Sequence, residues 1–258
     1  MSHPYFFINF DDINDSEILI EGEDFEHLAK TLRARVGDIV ELSDNNRYRF
    51  TANIKNIEKK GAILEIIKRK EIKKDFLQLD LFQSILKKNS MELVIQKSAE
   101  IGVTNIIPVF SSRVIPNEKP DNKKYIRWQK IALEASKQSK RNHICKLCPP
   151  ENINNIDLEK YDLFLFAYEE LSDLKTDKKE INKCSIIREI IDLKNKKPDY
   201  SAGILKIAFI IGPEGGFERE EANLLISKDA RAISLGSNIL KAETAAIFAA
   251  SVIKCALS

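Results

Sequence analysis

Hydrophobic residues recur with a period of two over the first third of the chain. Short runs of this kind, bounded by turn residues such as Asn45-Asn46 and Lys59-Lys60-Gly61, are typical of β-strands. A short helix is predicted over residues 27–35. Together these elements predict a small β-barrel, whose strands are expected at 4–10, 17–22, 39–43, 47–57 and 62–68.

From residue 77 onward, apolar runs alternate with segments of helical period. Strands are predicted at 77–86, 106–110, 162–170, 206–211 and 232–236, and helices at 91–101, 125–140, 186–191, 218–227 and 244–257. This alternation predicts an α/β fold with a parallel sheet and helices on both faces. The charged run that begins at Lys68 lies between the two patterns, so we place the domains at 1–72 and 73–258.

The final predicted helix, 244–257, is apolar nearly all round. A helix of this kind is expected to be buried. Burial in the core of its own chain and burial against a second subunit both satisfy the pattern.

Two of the predicted strands run directly into glycine-bearing loops. Strand 206–211 leads into Gly212-Pro213-Glu214-Gly215-Gly216, and strand 232–236 leads through Gly236 to Lys241-Ala242-Glu243-Thr244. Glycine lets a ligand approach the backbone closely, and ligands of open α/β sheets bind at the carboxyl ends of strands. Each loop alone is equally consistent with a tight turn, but the pair predicts one ligand site. Neither loop has the Gly-x-Gly-x-x-Gly or Gly-Lys-Ser/Thr pattern of common dinucleotide and phosphate cradles.

Composition narrows the class of protein only slightly. The 41 basic and 39 acidic residues nearly cancel, which neither requires nor excludes a nucleic-acid partner. No stretch has the length of a membrane span, and the amino terminus has no signal-peptide pattern, so we expect a cytoplasmic protein without a membrane partner.

Cys145 and Cys148 have metal-ligand spacing, but Cys184 and Cys255 are isolated. Because a structural zinc site needs four ligands, we expect free thiols and no metal.

The two loops carry a family resemblance. Residues 211–217 (Ile-Gly-Pro-Glu-Gly-Gly-Phe), followed by Leu235-Gly236-x-x-Ile239-Leu240-x-x-Glu243-Thr244-Ala245, resemble the ribosomal small subunit methyltransferase E family. That resemblance implies methylation of N3 of a uridine in the 16S rRNA of the small ribosomal subunit, with S-adenosyl-L-methionine as the cofactor. It also implies a SPOUT-type trefoil-knotted sheet, a PUA-like RNA-binding β-barrel before it, and a homodimer. Knots are nearly absent from proteins, so the knot rests wholly on the resemblance.

The resemblance also implies which residues bind the cofactor. They lie at the ends of three predicted strands, the first of which ends in Ala167-Tyr168-Glu169. The predicted cofactor contacts are Ala167, Tyr168, Ile211, Gly212, Glu214, Gly215, Gly216, Leu235, Gly236, Ile239, Leu240 and Thr244.

Uridine N3 carries a proton and is a poor nucleophile until the proton leaves, so general-base help and a nearby positive charge are expected. By motif, Glu243 either accepts from N3–H or orients the base, and the alternative is a structural hydrogen bond. Lys241 is predicted to stabilise charge on a uracil oxygen. The family usually has arginine there, and the two side chains differ in donor geometry.

Further family-like elements are predicted to contact RNA. Arg33 ends a His27-x-x-x-x-Leu32-Arg33 element, and the alternative is a solvated arginine. The segment 134–141 follows the family pattern, and its alternative is an ordinary polar helix end. At Lys88, Ser90, Ser112 and Lys140 the chain departs from the family pattern. The predicted RNA contacts are Arg33, Lys97, Arg113, Gln138 and Arg141.

Two other functions compete with this interpretation. One is a non-catalytic RNA-binding or assembly protein that keeps the fold, against which the intact glycine loops and Glu243 argue. The other is a SPOUT methyltransferase that acts on tRNA or another rRNA site, against which the length of the resemblance argues.

Overall fold

The computed structural model describes residues 3–9, 12–14, 16–73, 75–113, 120–168, 186–196 and 203–257. The chain divides into two compact units. The first comprises Met1–Lys74 and Ser136–Ile144, and the second comprises Asp75–Ala135 and Cys145–Ser258. The return of 136–144 to the first unit was not predicted, and the domain boundary at 72/73 stays a prediction.

The first unit is built on a six-stranded sheet in the order β1-β4-β5-β6-β3-β2. Its strands pair antiparallel, except that β1 is parallel to β4. A helix α1, Gly22–Glu26, continues as a π-helical turn at His27–Thr31. The strands are β1 Tyr5–Phe7, β2 Ile13–Asn14, β3 Glu17–Glu21, β4 Ile39–Ser43, β5 Tyr48–Ile57 and β6 Gly61–Glu71.

The core of this unit follows the alternation of its strands. In β5 the buried side chains are Phe50, Ala52 and Ile54, which lie two residues apart and therefore on one face. Residues 67–71, at the end of β6, are exposed. The long β5–β6 hairpin thus buries its centre and presents one end to solvent.

The segment 136–144 is held to the sheet by hydrogen bonds and ion pairs. Ser43 Oγ donates to the Asn142 carbonyl at 2.7 Å, and the Tyr5 hydroxyl donates to the Arg141 carbonyl. Lys137 Nζ lies 2.6 Å from Asp24 Oδ1. These contacts join positions more than ninety residues apart, so no local pattern could have predicted them.

The second unit contains a parallel sheet in the order β10-β8-β7-β12-β11-β13, with β9 beside β8. Its helices are α2 Lys88–Ile101, α3 Asn122–Gln138, α4 Ile186–Lys196, α5 Arg219–Ser227 and α6 Ala242–Leu257. Its strands are β7 Leu77–Ser84, β8 Asn105–Phe110, β9 Lys146–Leu147, β10 Glu151–Asn152, β11 Leu163–Ala167, β12 Leu205–Ile211 and β13 Arg231–Ile233.

Both faces of this sheet are covered. In β12, Ile207, Phe209 and Ile211 join a core with α2, α3, α4 and α6, while Ala208 and Ile210 join a core with α5. A strand buried on both faces reads as a continuous apolar run, because neither face meets water. The predicted parallel α/β sheet with helices on both faces is confirmed, and the trefoil knot stays a prediction.

Several predicted elements were wrong in detail. The helix predicted at 27–35 begins earlier, at Gly22, and gives way to a π-helical turn that ends at Thr31. The strand predicted over 162–170 ends at Ala167, and its last two residues lie outside the described ones. The two-residue strands β2 and β10 were not predicted, because neighbouring strands rather than local pattern stabilise them.

The last helix, α6, is buried in its own chain on one side only. The opposite side carries exposed Thr244, Phe248, Ser251 and Cys255, at the spacing of one helical stripe. Burial in the core of its own chain therefore accounts for part of the helix, and burial against a second subunit stays a prediction.

A buried carboxylate lies in the middle of the second sheet. Asp80 is 3% exposed and accepts from Gln78 Nε2 at 2.8 Å, Asn105 Nδ2 at 2.7 Å and the Tyr161 hydroxyl at 2.9 Å. Three donors offset the cost of removing this carboxylate from water. Burial, and next the neighbouring Asp80, raise the pKa of Tyr161 well above its usual range.

The raised pKa of Tyr161 predicts that the Tyr161→Phe variant loses less stability in alkali than the wild-type protein. Above about pH 10 the unfolded tyrosine ionises while the folded one keeps its proton, so the free energy of unfolding falls as pH rises. One such group contributes a slope of about 1.4 kcal/mol per pH unit. Urea unfolding from pH 9 to 12 should therefore give Tyr161→Phe a shallower fall than the wild-type protein. Equal slopes would contradict the shift.

Candidate functional site

Three neighbouring strands bring the predicted loops together. Strand β11 lies between β12 and β13, with Phe166 opposite Ile210 and Ala167 opposite Ile233. Neighbouring strands are about 4.8 Å apart, so β12 and β13 lie about 10 Å from each other. The loops that begin at Gly212 and Ser234 therefore leave the same edge of the sheet on either side of Ala167 and Tyr168.

The first loop is a tight turn with little room inside. Gly216 N donates to the Pro213 carbonyl at 2.9 Å, and Gly216 has a φ of +69°, a conformation that favours glycine. A Cβ on Gly212 would lie 3.3 Å from the ring of Phe217 and 3.4 Å from the backbone of Gly216. A Cβ on Gly216 would meet only open space, so that glycine faces the outside of the turn.

An arginine that follows β8, two strands away from β12, holds this loop. Arg113 Nε lies 2.7 Å from Glu218 Oε1 and Arg113 Nη2 lies 3.0 Å from Oε2, while Nη1 donates to the Gly215 carbonyl. The bidentate bond to Arg113 holds the pKa of the Glu218 carboxyl below its usual value. The guanidinium predicted to contact RNA is thus engaged in positioning the glycine loop. Its side chain remains 44% exposed.

Other bonds connect the same loops. Glu221, which is 5% exposed, accepts from Ser112 N at 2.7 Å and from Glu218 N at 2.8 Å. Glu214 Oε1 accepts from Lys87 N at 3.1 Å. Glu214 was predicted as a cofactor contact, but this bridging was not predicted. Arg113 and Glu218 both follow strands of one parallel sheet, but no local pattern shows how near those strand ends lie to each other.

The second loop is open and partly apolar. Gly236 has a φ of +126°, and Leu235 and Leu240 pack partly buried against the core. Ile239, by contrast, is 81% exposed. An isoleucine this exposed in a loop that also carries Gly236 is suited to cover the flat face of an apolar ligand.

The first turn of α6 carries the predicted catalytic pair. The Lys241 carbonyl accepts from Ala245 N at 2.8 Å, which begins the helix. Lys241 is exposed, Glu243 is half-buried and Thr244 is exposed. The predicted catalytic residues Lys241 and Glu243 therefore come directly after the second loop in the chain.

A buried glutamine ends β7 at the same edge. Gln83 is fully buried, with Nε2 3.0 Å from the Ser84 carbonyl and 3.5 Å from the Ile211 carbonyl. Its Oε1 has no hydrogen-bond partner among the described residues. Three features of this edge fit a nucleoside-type cofactor with both polar and apolar faces. They are the buried Gln83 oxygen without a partner among the described residues, the open backbone at the glycines, and the exposed side chain of Ile239.

The predicted RNA contacts belong to both units. Lys97 and Arg113 belong to the second unit, where Lys97 Nζ lies 2.8 Å from Glu100 on α2. Arg33, Gln138 and Arg141 belong to the first unit. Arg33 is exposed with a φ of +53°, directly after the π-helical turn, and Gln138 is also exposed. Arg141 Nε donates to the His143 carbonyl at 3.0 Å and shapes its own loop.

The described residues show neither a candidate metal site nor a candidate membrane-spanning helix. No group of three or more His, Cys, Asp or Glu side chains is placed to hold a metal ion in this part of the chain. Cys145, Cys148 and Cys255 are free thiols, and Cys184 lies outside the described residues. No helix in the described ranges has the length and apolar character needed to cross a bilayer.

Family models match both parts of the chain. Residues 73–254 match an RNA methyltransferase domain, and residues 20–67 match an RNA methyltransferase PUA domain. The predicted PUA-like barrel at the amino terminus is thereby confirmed.

Relatives and solved structures agree with these matches. The Ribosomal RNA small subunit methyltransferase E of Rickettsia conorii is 32% identical over 98% of this chain and 96% of its own length. That of Buchnera aphidicola is 33% identical over 97% and 92%. The Neisseria gonorrhoeae enzyme of the same name, solved with S-adenosyl methionine, is 27% identical with a TM-score of 0.76 and covers 98% of both chains. A methyltransferase structure from Legionella pneumophila with bound SAM is 29% identical, with a TM-score of 0.78 over 99% and 98%.

Two relatives of the same name share about one third of their residues with this chain over nearly its whole length, and the family models match both of its parts. The chain belongs to the ribosomal RNA small subunit methyltransferase E family.

Proposed function

We propose that this protein transfers a methyl group from S-adenosyl-L-methionine to N3 of a uridine in the 16S rRNA of the small ribosomal subunit, in the cytoplasm. The observation that carries the proposal is the meeting of two glycine-bearing loops on either side of β11. The names of the relatives support the rRNA substrate, and the bound ligand of the Neisseria structure supports the cofactor. The choice of uridine N3 rests on the family resemblance. In this proposal residues 1–72 bind RNA and residues 73–258 carry the reaction.

The cofactor, when bound, supplies an electrophilic methyl group on a sulfonium. The open backbone at Gly216 and Gly236 allows its close approach, and the exposed Ile239 covers its adenine. The other proposed contacts lie along the same edge: Ala167, Tyr168, Ile211, Gly212, Glu214, Gly215, Leu235, Leu240 and Thr244.

Two side chains at the start of α6 act on the uracil. Glu243, which is half-buried, accepts the N3 proton and so creates the nucleophile. Lys241, which is exposed, places its ammonium beside the oxygen on which negative charge develops. Lysine keeps the point charge of the usual arginine but not its forked donors. The target base has to leave its stack to reach this position.

The RNA-binding part of the proposal assigns Arg33, Lys97, Gln138 and Arg141 to phosphate or base contacts. Arg113 has a double role, because its guanidinium restrains Gly215 and is still partly exposed. Since these residues belong to two units, RNA contact is divided between the barrel and the methyltransferase domain.

Mapping of methylated uridines in 16S rRNA tests the reaction directly. Ribosomes from cells that lack the gene should have one unmethylated uridine, and the purified protein with cofactor should restore it. A protein that binds 16S rRNA but takes up no cofactor by calorimetry would instead be an assembly factor. Methylation found on tRNA alone would favour the wider SPOUT class.

We also propose that the protein is a homodimer that buries the exposed face of α6. Phe248 is 43% exposed on this face, and Ile187 and Ile191 on α4 are 54% and 50% exposed. Since α4 packs against α6, both helices of this pair carry exposed apolar side chains. The Phe248→Glu variant should shift the protein from dimer to monomer in light scattering. Ile126→Glu, at a 53% exposed position on α3, is the matched control and should stay dimeric. A monomeric wild-type protein would contradict the proposal.

A further inference from the structure

A basic cavity in the first unit is lined by none of the five residues named above as individual RNA contacts. Its volume is about 440 Å³, and its lining includes Arg49, Lys68, Lys70, Lys73 and Asn142. Two carboxylates, Glu41 and Glu71, also line it, so cations outnumber anions there.

The strand register concentrates positive charge at this cavity. In the β5–β6 pair, Arg49 lies directly opposite Lys70, and Thr51 lies opposite Lys68. Directly opposed residues of an antiparallel pair have Cβ atoms about 5 Å apart, and like charges in that position destabilise the sheet. Lys68 and Lys70 are exposed, and neither forms an ion pair with the described residues. The hairpin therefore keeps an unfavourable charge pair, which a bound anion would relieve.

The carboxylates of the cavity are already engaged. Glu71 Oε1 lies 3.0 Å from Arg47 Nε, outside the lining, and Glu41 Oε2 lies 2.7 Å from Lys140 Nζ. Glu41 is 3.8 Å from Arg49 Nη2, a longer contact than the one to Lys140. Glu71 thus offsets Arg47, and Glu41 is shared by Lys140 and Arg49, so neither acid forms an ion pair with Lys68 or Lys70.

One cation of the cavity is held in a fixed orientation. The Arg49 guanidinium carbon lies 5.1 Å from the centre of the Tyr5 ring, and its Nη1 lies 3.5 Å from Asn142 Oδ1. Stacking on an aromatic ring and an amide contact restrict this side chain, which is 34% exposed. A guanidinium held in this way presents its remaining donors to an anion at low entropic cost.

We infer that this cavity binds the phosphodiester backbone of the RNA substrate, as a contact away from the methylated base. The inference rests on the proposed function for the identity of the RNA. A phosphate group fits the chemistry, because a fixed guanidinium and two flexible ammonium groups surround a hollow of sufficient size. Contacts to the RNA backbone alone add affinity and fix the position of the bound RNA, but they do not recognise its base sequence.

The salt dependence of RNA binding tests the inference. The probe is 16S rRNA transcribed in vitro, and the variant is Lys68→Gln/Lys70→Gln, whose exposed positions leave the fold intact. Each lost phosphate contact lowers the slope of log K against log salt by roughly 0.7 to 0.9. We expect the double variant to bind about ten-fold more weakly near physiological salt, with a slope smaller by roughly 1.4 to 1.8.

The matched control is Lys59→Gln/Lys60→Gln, which removes the same charge from the exposed turn between β5 and β6. Its slope should equal that of the wild-type protein. A slope that is unchanged in Lys68→Gln/Lys70→Gln, or equally lowered in both double variants, would overturn the inference. Competition by polyglutamate as strong as by polyuridylate would also overturn it, in favour of an acidic protein partner.

Calorimetry with S-adenosyl-L-methionine on the same proteins separates this inference from the proposed function. If the wild-type protein binds no cofactor, the proposed function fails, but the salt slopes still show whether the cavity binds RNA phosphates. If it binds cofactor and methylates RNA but the slopes are equal, the cavity inference alone fails.

Discussion

Glu243→Ala is expected to lower the methylation rate by a factor of about 10² to 10⁴, the range that a positioned general base contributes. Cofactor affinity should change little, because the side chain at the start of α6 acts on the uracil and not on the cofactor. Single-turnover methylation of unmethylated small subunits measures the rate, and calorimetry with S-adenosyl-L-methionine measures the affinity. The activity that remains should rise with pH, as more uridine ionises without help.

The matched control for this prediction is Glu220→Ala. Glu220 is an exposed glutamate in the first turn of another helix, α5, so the same change of charge occurs on a side chain to which no role in the reaction is assigned. Its rate should equal that of the wild-type protein. Unchanged turnover in Glu243→Ala would remove this residue from the mechanism. A joint loss of thermal stability and cofactor binding would show a structural hydrogen bond instead.

Elements defined by local pattern were predictable from the sequence. The strand β12 extends over Leu205–Ile211, within one residue of its predicted range, because burial on both faces leaves no polar position in its centre. The helix α5 was equally clear, since acids mark its first turn. The parallel order of the sheet follows from the alternation of strand and helix.

Contacts between distant parts of the chain were not predictable in the same way. Arg113 and Glu218 are 105 residues apart, and only the order of the sheet, with β8 two strands away from β12, brings them together. Arg49 and Lys70 read as scattered surface charges until the β5–β6 register places them opposite each other. The return of 136–144 to the first unit likewise depends on side chains such as Ser43, whose partner is a backbone carbonyl 99 residues away.

The location of the candidate site was predictable for a physical reason, although its details were not. Glycine is favoured where φ is positive or where a ligand approaches the backbone, so Gly216 and Gly236 mark the two loops in the sequence itself. The supporting bonds of Glu214 and Glu221 have no such signature, because a carboxylate serves equally well on a solvated surface. Loops whose backbone favours glycine are therefore easier to recognise in a sequence than the side chains that support those loops.

Gly216→Val is expected to weaken S-adenosyl-L-methionine binding by at least about 100-fold, which corresponds to roughly 2.7 kcal/mol. Gly216 has a φ of +69°, which a β-branched residue adopts only with strain, and its missing Cβ points into open space at the ligand edge. The variant thus distorts the turn and fills the space that the cofactor needs. Gly203→Val, at an exposed glycine with no close neighbour and no positive φ, is the matched control and should bind normally. Calorimetry measures both affinities, and tight binding by folded Gly216→Val would show that the cofactor lies elsewhere.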